Sequence, residues 1–224
     1  MKVFVIDSGI LINLSMNGLL YILEELKKSS SVQLLITEAV KYEVVDRPIG
    51  IPRFELGALR VQELINSKVL ELPEDIGISK KQVKTVSRTL MNLANNSAKV
   101  KNKSIKIVSE AEMTCLALSK ILTEKNIENI IGVDERTTRI LSEKPQNLER
   151  IMSSKLHKRV EVSPRGLEHF KKFKFIRSTE LVYVAYKKGL LKIKNKKALE
   201  ATIYATKFKG SSISWDEIKV LKTL

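Results

Sequence analysis

With 224 residues, 43% of them hydrophobic and 29% charged, the chain can bury a sizeable core, which excludes a minimal disulfide-stapled scaffold. Nine glycines and five prolines are too few for collagen-like or low-complexity sequence, and the lone Cys115 cannot make an intrachain disulfide, which fits a reducing cytoplasm. The net charge of +15 is uneven: residues 1–150 carry 22 Lys and Arg against 19 Asp and Glu, whereas residues 151–224 carry 18 against 6. A general lysine bias would have made the first 150 residues equally basic. A concentrated basic surface attracts polyanions, of which nucleic acid is the commonest.

The opening run Val3-Phe-Val-Ile6 ends at Asp7, as suits a strand buried on both faces of a parallel sheet. It reaches a carboxylate too soon for a signal peptide or a span, and no other apolar run nears about 18 residues, so no membrane partner is expected. Similar runs recur at Val32–Ile36, Val69–Leu72, Ile105–Val108 and Asn129–Val133. Between them lie segments with helical spacing: Leu19 to Leu26, then 37–46, 54–67, 79–96, 109–125 and 135–143. Alternating strands and helices imply a mostly parallel sheet covered on both sides, a three-layer α/β/α sandwich over residues 1–147. Residues 148–224 read as a basic, mainly helical extension, with helices at 148–158, 178–189, 197–208 and 214–223 and a possible strand near 170–177.

In an open parallel sheet, ligands bind beyond the carboxyl ends of the strands. Asp7 follows the first strand, Glu43 lies less than two turns into the helix after the second, Glu110 opens the helix after Ile105–Val108, and Asp134 closes Asn129–Val133. Converging carboxylates repel unless a cation neutralises them, and an all-oxygen set favours Mg²⁺ or Mn²⁺ over Zn²⁺. His157 and His169 lie outside the set and read as surface residues. Each acid also has a plainer reading. Asp7 and Asp134 suit helix N-caps, with Glu135 complementing a helix dipole. Glu43 alone suits an exposed helical position. Ser109-Glu110-Ala111-Glu112 fits a capping box, which gives Glu112 a structural task and leaves Glu110 free. A metal opposite a basic extension suggests phosphodiester hydrolysis. A haloacid-dehalogenase-type phosphatase would need a second Asp where Gly9 stands, and no Gly-x-Gly-x-x-Gly turn follows the first strand.

Taken together, these segments resemble the PIN domain family of metal-dependent ribonucleases, which includes the toxins of toxin–antitoxin pairs. Val5-Ile-Asp7-Ser8-Gly-Ile-Leu-Ile-Asn-Leu14 is similar to its first motif, and Ile36-Thr37-Glu-Ala-Val-Lys-Tyr-Glu43-Val to its second. Ser109-Glu110-Ala-Glu112-Met-Thr-Cys-Leu-Ala117-Leu resembles the third, with Ser109 where Gly is common. Ile131-Gly-Val-Asp134-Glu135-Arg-Thr-Thr-Arg139-Ile-Leu resembles the fourth, with Glu135 in place of a second Asp. The resemblance covers residues 1–143 and, more loosely, the helical ending of a nucleic-acid-binding branch. It implies endonucleolytic cleavage of single-stranded RNA to 5′-phosphate and 3′-hydroxyl ends. Asp7, Glu110 and Asp134 would then be metal ligands, with Glu43 completing the set or orienting water. Ser8 would hold a carboxylate or a phosphate, and Glu112, Glu135 and Arg139 would be auxiliary. It further implies a partner such as an antitoxin-like protein or a ribosomal particle, and a homodimer through apolar helices. The alternative is a non-catalytic RNA-binding or assembly module on the same scaffold.

The last third also holds eight of the twelve aromatic residues. Rings interleaved with lysines could stack bases, but Phe173 and Phe175 alternate around Lys174, and Tyr183 and Tyr186 lie three apart, patterns that also suit core packing. Phosphate contact is expected from Lys171, Lys172, Lys174 and Arg177, and from Lys187, Lys188, Lys192, Lys194, Lys196 and Lys197, with steep salt dependence.

Overall fold

The computed structural model describes residues 1–223. Four parallel strands form the central sheet in the order β2-β1-β5-β7: β1 (Lys2–Ile6), β2 (Val32–Leu35), β5 (Glu128–Gly132) and β7 (Phe175–Ile176). β1 is central, and its Val3–Ile6 are all buried, which explains why the run is continuously apolar instead of alternating. A small antiparallel sheet, order β4-β3-β6, is made by β3 (Ala98–Val100), β4 (Lys103–Ser104) and β6 (Glu161–Val162).

Helices α1 (Ser8–Met16) and α2 (Tyr21–Ser29) connect β1 to β2. The long passage from β2 to β5 carries α3 (Glu38–Lys41), α4 (Pro52–Asn66), α5 (Lys80–Ser97) and α6 (Glu110–Glu124). Beyond β5 come α7 (Arg136–Glu143), α8 (Leu148–Leu156), α9 (Ser178–Lys187), α10 (Ala198–Phe208) and α11 (Trp215–Thr223). The arrangement is α/β and compatible with the expected three-layer sandwich. α6 is the most deeply packed helix: ten of its fifteen residues are buried, and it touches β1, β5, α3 and α5.

Three expected strands come out differently. At Val69–Leu72 the chain pairs with β2 only through a single bridge, Leu35 to Glu71, with Glu71 N donating to Leu34 O at 2.9 Å. Pro73 follows and has no N–H to extend the ladder. Ile105–Val108 is not a strand, since Ile107 N donates to the Asn95 side chain at 2.9 Å. Pairing passes instead to the β3–β4 hairpin, whose two turn residues Lys101 and Asn102 both have positive φ. The run at 170–177 contributes only Phe175–Ile176, which joins β5. Residues beyond 148 are therefore built into the same sheet as the first 147.

Gly132 ends β5 where a side chain has no room. An added Cβ would lie 2.8 Å from Phe4 Cε2 and 3.2 Å from Ile10 Cγ1, and both side chains are buried. Gly132→Ala is expected to destabilise the fold by about 1–3 kcal/mol, read as a lower urea midpoint; an unchanged midpoint would show that the Phe4 ring yields freely.

Candidate active site at the carboxyl edge of the sheet

Each parallel strand is followed at its carboxyl end by a polar residue: Asp7 after β1, Thr37 after β2, Asp134 after β5 and Arg177-Ser178 after β7. Asp7 leaves β1 extended and caps α1, its Oδ2 accepting from Gly9 N at 3.3 Å. Its Oδ1 is buried and has no hydrogen-bond partner. Burial, then the nearby Glu112 carboxylate and, more weakly, Glu43 push the Asp7 carboxyl up to about 7, although the Gly9 and Ser8 amides pull the other way.

The sequence after β2 brings Glu43 to this point. Thr37 caps α3 through Val40 N, and its hydroxyl meets that of Thr114 at 2.7 Å, tying α3 to α6. The helix then widens into a π turn, Tyr42–Asp46, a rare geometry that recurs at functional sites. Within it, Glu43 Oε2 accepts from Ser8 Oγ at 2.7 Å, so the hydroxyl beside Asp7 positions this carboxylate.

Glu112 makes the expected capping box: its Oε2 accepts from Ser109 N at 2.8 Å and its own N donates to Ser109 Oγ at 3.2 Å. It also faces inward. Burial raises its carboxyl, the Ser109 amide offsets only part of this, and Glu135 adds to the rise. The cap does not remove Glu112 from the acidic set, because its charge still acts on Asp7. Cys115 is buried with its Sγ 3.9 Å from Ile6 O, and burial together with Asp7, Glu112 and Glu43 raises its thiol well above the ordinary value.

The expected four-acid set is thus rearranged. Glu110 is exposed at the start of α6 and lines a cleft of about 500 Å³, which Glu43 also borders, with Lys80, Lys84 and Lys106 on its walls. The acid acting most strongly on Asp7 is Glu112. Asp134 is buried but engaged: Oδ1 accepts from Ser178 N at 2.9 Å, and Oδ2 from Ser178 Oγ at 2.7 Å and Asn13 Nδ2 at 3.1 Å. The N-cap of α7 is Glu135, not Asp134; it accepts from Thr137 N and Thr138 N and pairs with Lys155 at 3.0 Å. Among the described residues, no three His, Cys, Asp or Glu side chains are gathered closely enough to hold an ion as they stand.

The two arginines turn inward. Arg139 Nη2 donates to Ser212 O at 3.0 Å and Ser212 Oγ at 2.9 Å; burial and the neighbouring Arg177 guanidinium lower its pKa. Arg177, expected to meet phosphate, is buried and pairs with Glu180 at 2.5 Å and Glu217 at 2.9 Å. Partial burial would raise Glu217, but the Ser214 amide and Arg177 outweigh it and hold the carboxyl at about 2. Arg177 therefore clamps α9 to α11.

The expected phosphate-binding lysines are exposed but divided in space. Lys171, Lys172 and Lys174 precede β7, at the start of the strand instead of its carboxyl end. α9 begins at the carboxyl edge and runs ten residues, about 15 Å, so Lys187 and Lys188 lie at its remote end. Lys192 follows them and sits over the Tyr21 ring at 4.5 Å, with its amide on the Tyr21 hydroxyl at 3.2 Å. Lys194, Lys196 and Lys197 continue this loop before α10 returns to the carboxyl edge.

The residue that sequence reasoning passed over is Asn13. It is fully buried, and its Nδ2 shares two hydrogens among Asp134 Oδ2, Ser178 Oγ at 3.0 Å and Thr206 O at 2.8 Å, joining α1, the loop after β5, α9 and α10. The available signal was a lone amide on the apolar stripe of Ile10 and Leu14. Compared with known protein families, curated proteins and solved structures, the chain matches none.

Proposed function

We propose that the chain is a metal-dependent endoribonuclease of PIN-like type acting on single-stranded RNA, with Asp7, Glu43 and Glu112 as its acidic centre. The observation that carries this reading is the buried, unpartnered Oδ1 of Asp7, set among carboxylates that repel it. A buried acceptor without a donor costs on the order of 1–3 kcal/mol, and a hard divalent cation removes both that cost and the repulsion. The donors are all oxygen, the type that Mg²⁺ or Mn²⁺ takes, and binding would draw the Asp7, Glu43 and Glu112 side chains closer together than they stand. Bound there, the ion would supply an activated water and take up charge developing on the scissile phosphate. Asp7 and Glu112 would face the ion, Ser8 would fix Glu43, and Glu43 would hold the proton of the attacking water. Asp134 serves this centre indirectly, by fixing Asn13 and Ser178. A homodimer would use the apolar face of α1 and α4, where Met16, Phe54, Leu56 and Leu59 are all more than half exposed.

The saturated carboxylate of Asp134 favours a second reading, a non-catalytic RNA-binding module. Incubation with a mixed RNA pool separates the two. The nuclease cuts with Mn²⁺, leaving 5′-phosphate ends, and stops in chelator, whereas a scaffold binds equally in both and cuts in neither.

A further inference from the structure

Four of the eight aromatic rings of the last third pack inward, and Tyr186 is 38% exposed. Phe170 is fully buried, and Phe173, Phe175 and Tyr183 lie against the core. At the end of the chain a core-packed ring, Tyr204, carries two exposed ones. Tyr204 and Phe208, one turn apart on α10, lie with centroids 6.5 Å apart, and Trp215 at the start of α11 stands 5.8 Å from Tyr204 and 6.1 Å from Phe208. The trio is mutually packed, yet Phe208 is 71% exposed and Trp215 54%. Burying an aromatic side chain is worth about 1.5–3 kcal/mol, so large rings left open on a rigid mount call for something to cover them.

Position and charge indicate what. The turn between α10 and α11 is tied to the acidic edge: Ser212 N donates to Asp134 O at 3.3 Å, Ser212 accepts from Arg139, and Thr206 O accepts from Asn13. Phe208 thus lies two residues beyond Thr206, and Trp215 three beyond Ser212. Lys207 lies 4.7 Å from the Trp215 ring with its ammonium on Ile213 O, and Lys209, on the other side of Phe208, is exposed. Exposed rings flanked by Lys207 and Lys209, on a turn hydrogen-bonded to Asp134 and Arg139, match the chemistry of unpaired nucleobases, which stack on rings while phosphates meet ammonium groups.

We infer that Tyr204, Phe208 and Trp215 form a stacking platform for unpaired bases of a single-stranded nucleic acid entering the carboxyl edge of the sheet. The inference rests on the ribonuclease reading for the class of ligand, and adds the element that selects single strands over duplexes. A protein partner seated on the same rings is the competing occupant.

Trp215 is the only tryptophan, so its fluorescence reports the platform directly. The full chain, in chelator to prevent cleavage, is titrated with a twelve-residue oligouridylate, a blunt RNA duplex of that length and inorganic polyphosphate, each followed by tryptophan emission; labelled oligouridylate is followed in parallel by anisotropy. The expected result is quenching by the single strand alone, and about tenfold or greater weakening of its binding in Phe208→Ala. The same binding is expected to survive in Lys125→Ala, an exposed position between α6 and the start of β5, at the opposite edge of the sheet. Binding with no quenching, and with Phe208→Ala at wild-type affinity, overturns the platform while leaving the ribonuclease reading standing. Equal quenching by polyphosphate overturns it too, since that ligand has no bases. Absence of any binding overturns both.

Discussion

Asp7→Asn is expected to fold, to cap α1 as the wild type does, and to cleave RNA about 10³-fold more slowly or worse. Losing one ligand of a catalytic ion sacrifices both its charge and its placement, and 10³-fold corresponds to about 4 kcal/mol of transition-state stabilisation. The same variant carries a stability signature of opposite sign. In the native chain the Asp7 carboxyl sits at about 7, against an ordinary value of 3.8. Between those two values the folded state binds a proton that the unfolded state has released. Without a divalent ion, stability therefore falls as pH rises through that window and levels off above about 7. The full effect is on the order of 4 kcal/mol. Glu112 shifts in the same direction, and Glu217, held at about 2, acts only below the ordinary carboxylate range. In chelator the wild-type melting temperature should thus be lower at pH 8 than at pH 5, and Asp7→Asn should melt above the wild type at pH 8. A wild-type midpoint that rises from pH 5 to pH 8 would mean that burial, with Glu112 and Glu43 beside it, does not raise the Asp7 carboxyl.

Asp134→Ala is expected to act on folding first. Its carboxylate accepts three hydrogen bonds from Ser178 and Asn13 in a buried setting, and Asn13 in turn holds α10 through Thr206 O. Removing the acceptor leaves buried donors unsatisfied, at a cost of about 3 kcal/mol, or about 10 °C in melting temperature for a chain of this size. Asp134→Asn should be destabilised as well, because its amide group would aim a donor at donors. Chemical denaturation of both variants checks this. Wild-type stability combined with lost cleavage would instead return Asp134 to the ion-binding set.

Where the physics was local, the sequence was readable. The continuous apolar run ending at Asp7, the Ser109 capping box and the helices of the last third all depend on residues within a turn or two, and each element forms within a few residues of its expected bounds. The orientation of Glu110 and Glu112 was not readable in that way. Both open α6, and the cap made one seem occupied; only the tertiary placement of α6 against β1 brings the Glu112 charge to bear on Asp7 and leaves Glu110 in the cleft. Arg177 misled for a related reason, since a basic neighbourhood suggests phosphate, whereas Glu180 lies one turn on and Glu217 arrives from forty residues away. The β3–β4 hairpin was missed because its turn carries Lys101 and Asn102 without a glycine.

Manganese binding measured by electron paramagnetic resonance tests the acidic centre most directly. With Mn²⁺ titrated into the protein at pH 7.5 or above, where Asp7 is ionised, the wild type and Glu110→Gln should bind the ion alike, while Asp7→Asn and Glu112→Gln should leave it free in solution. Retained binding in Glu112→Gln together with loss in Glu110→Gln, or a wild type that takes up no manganese, would contradict the assignment.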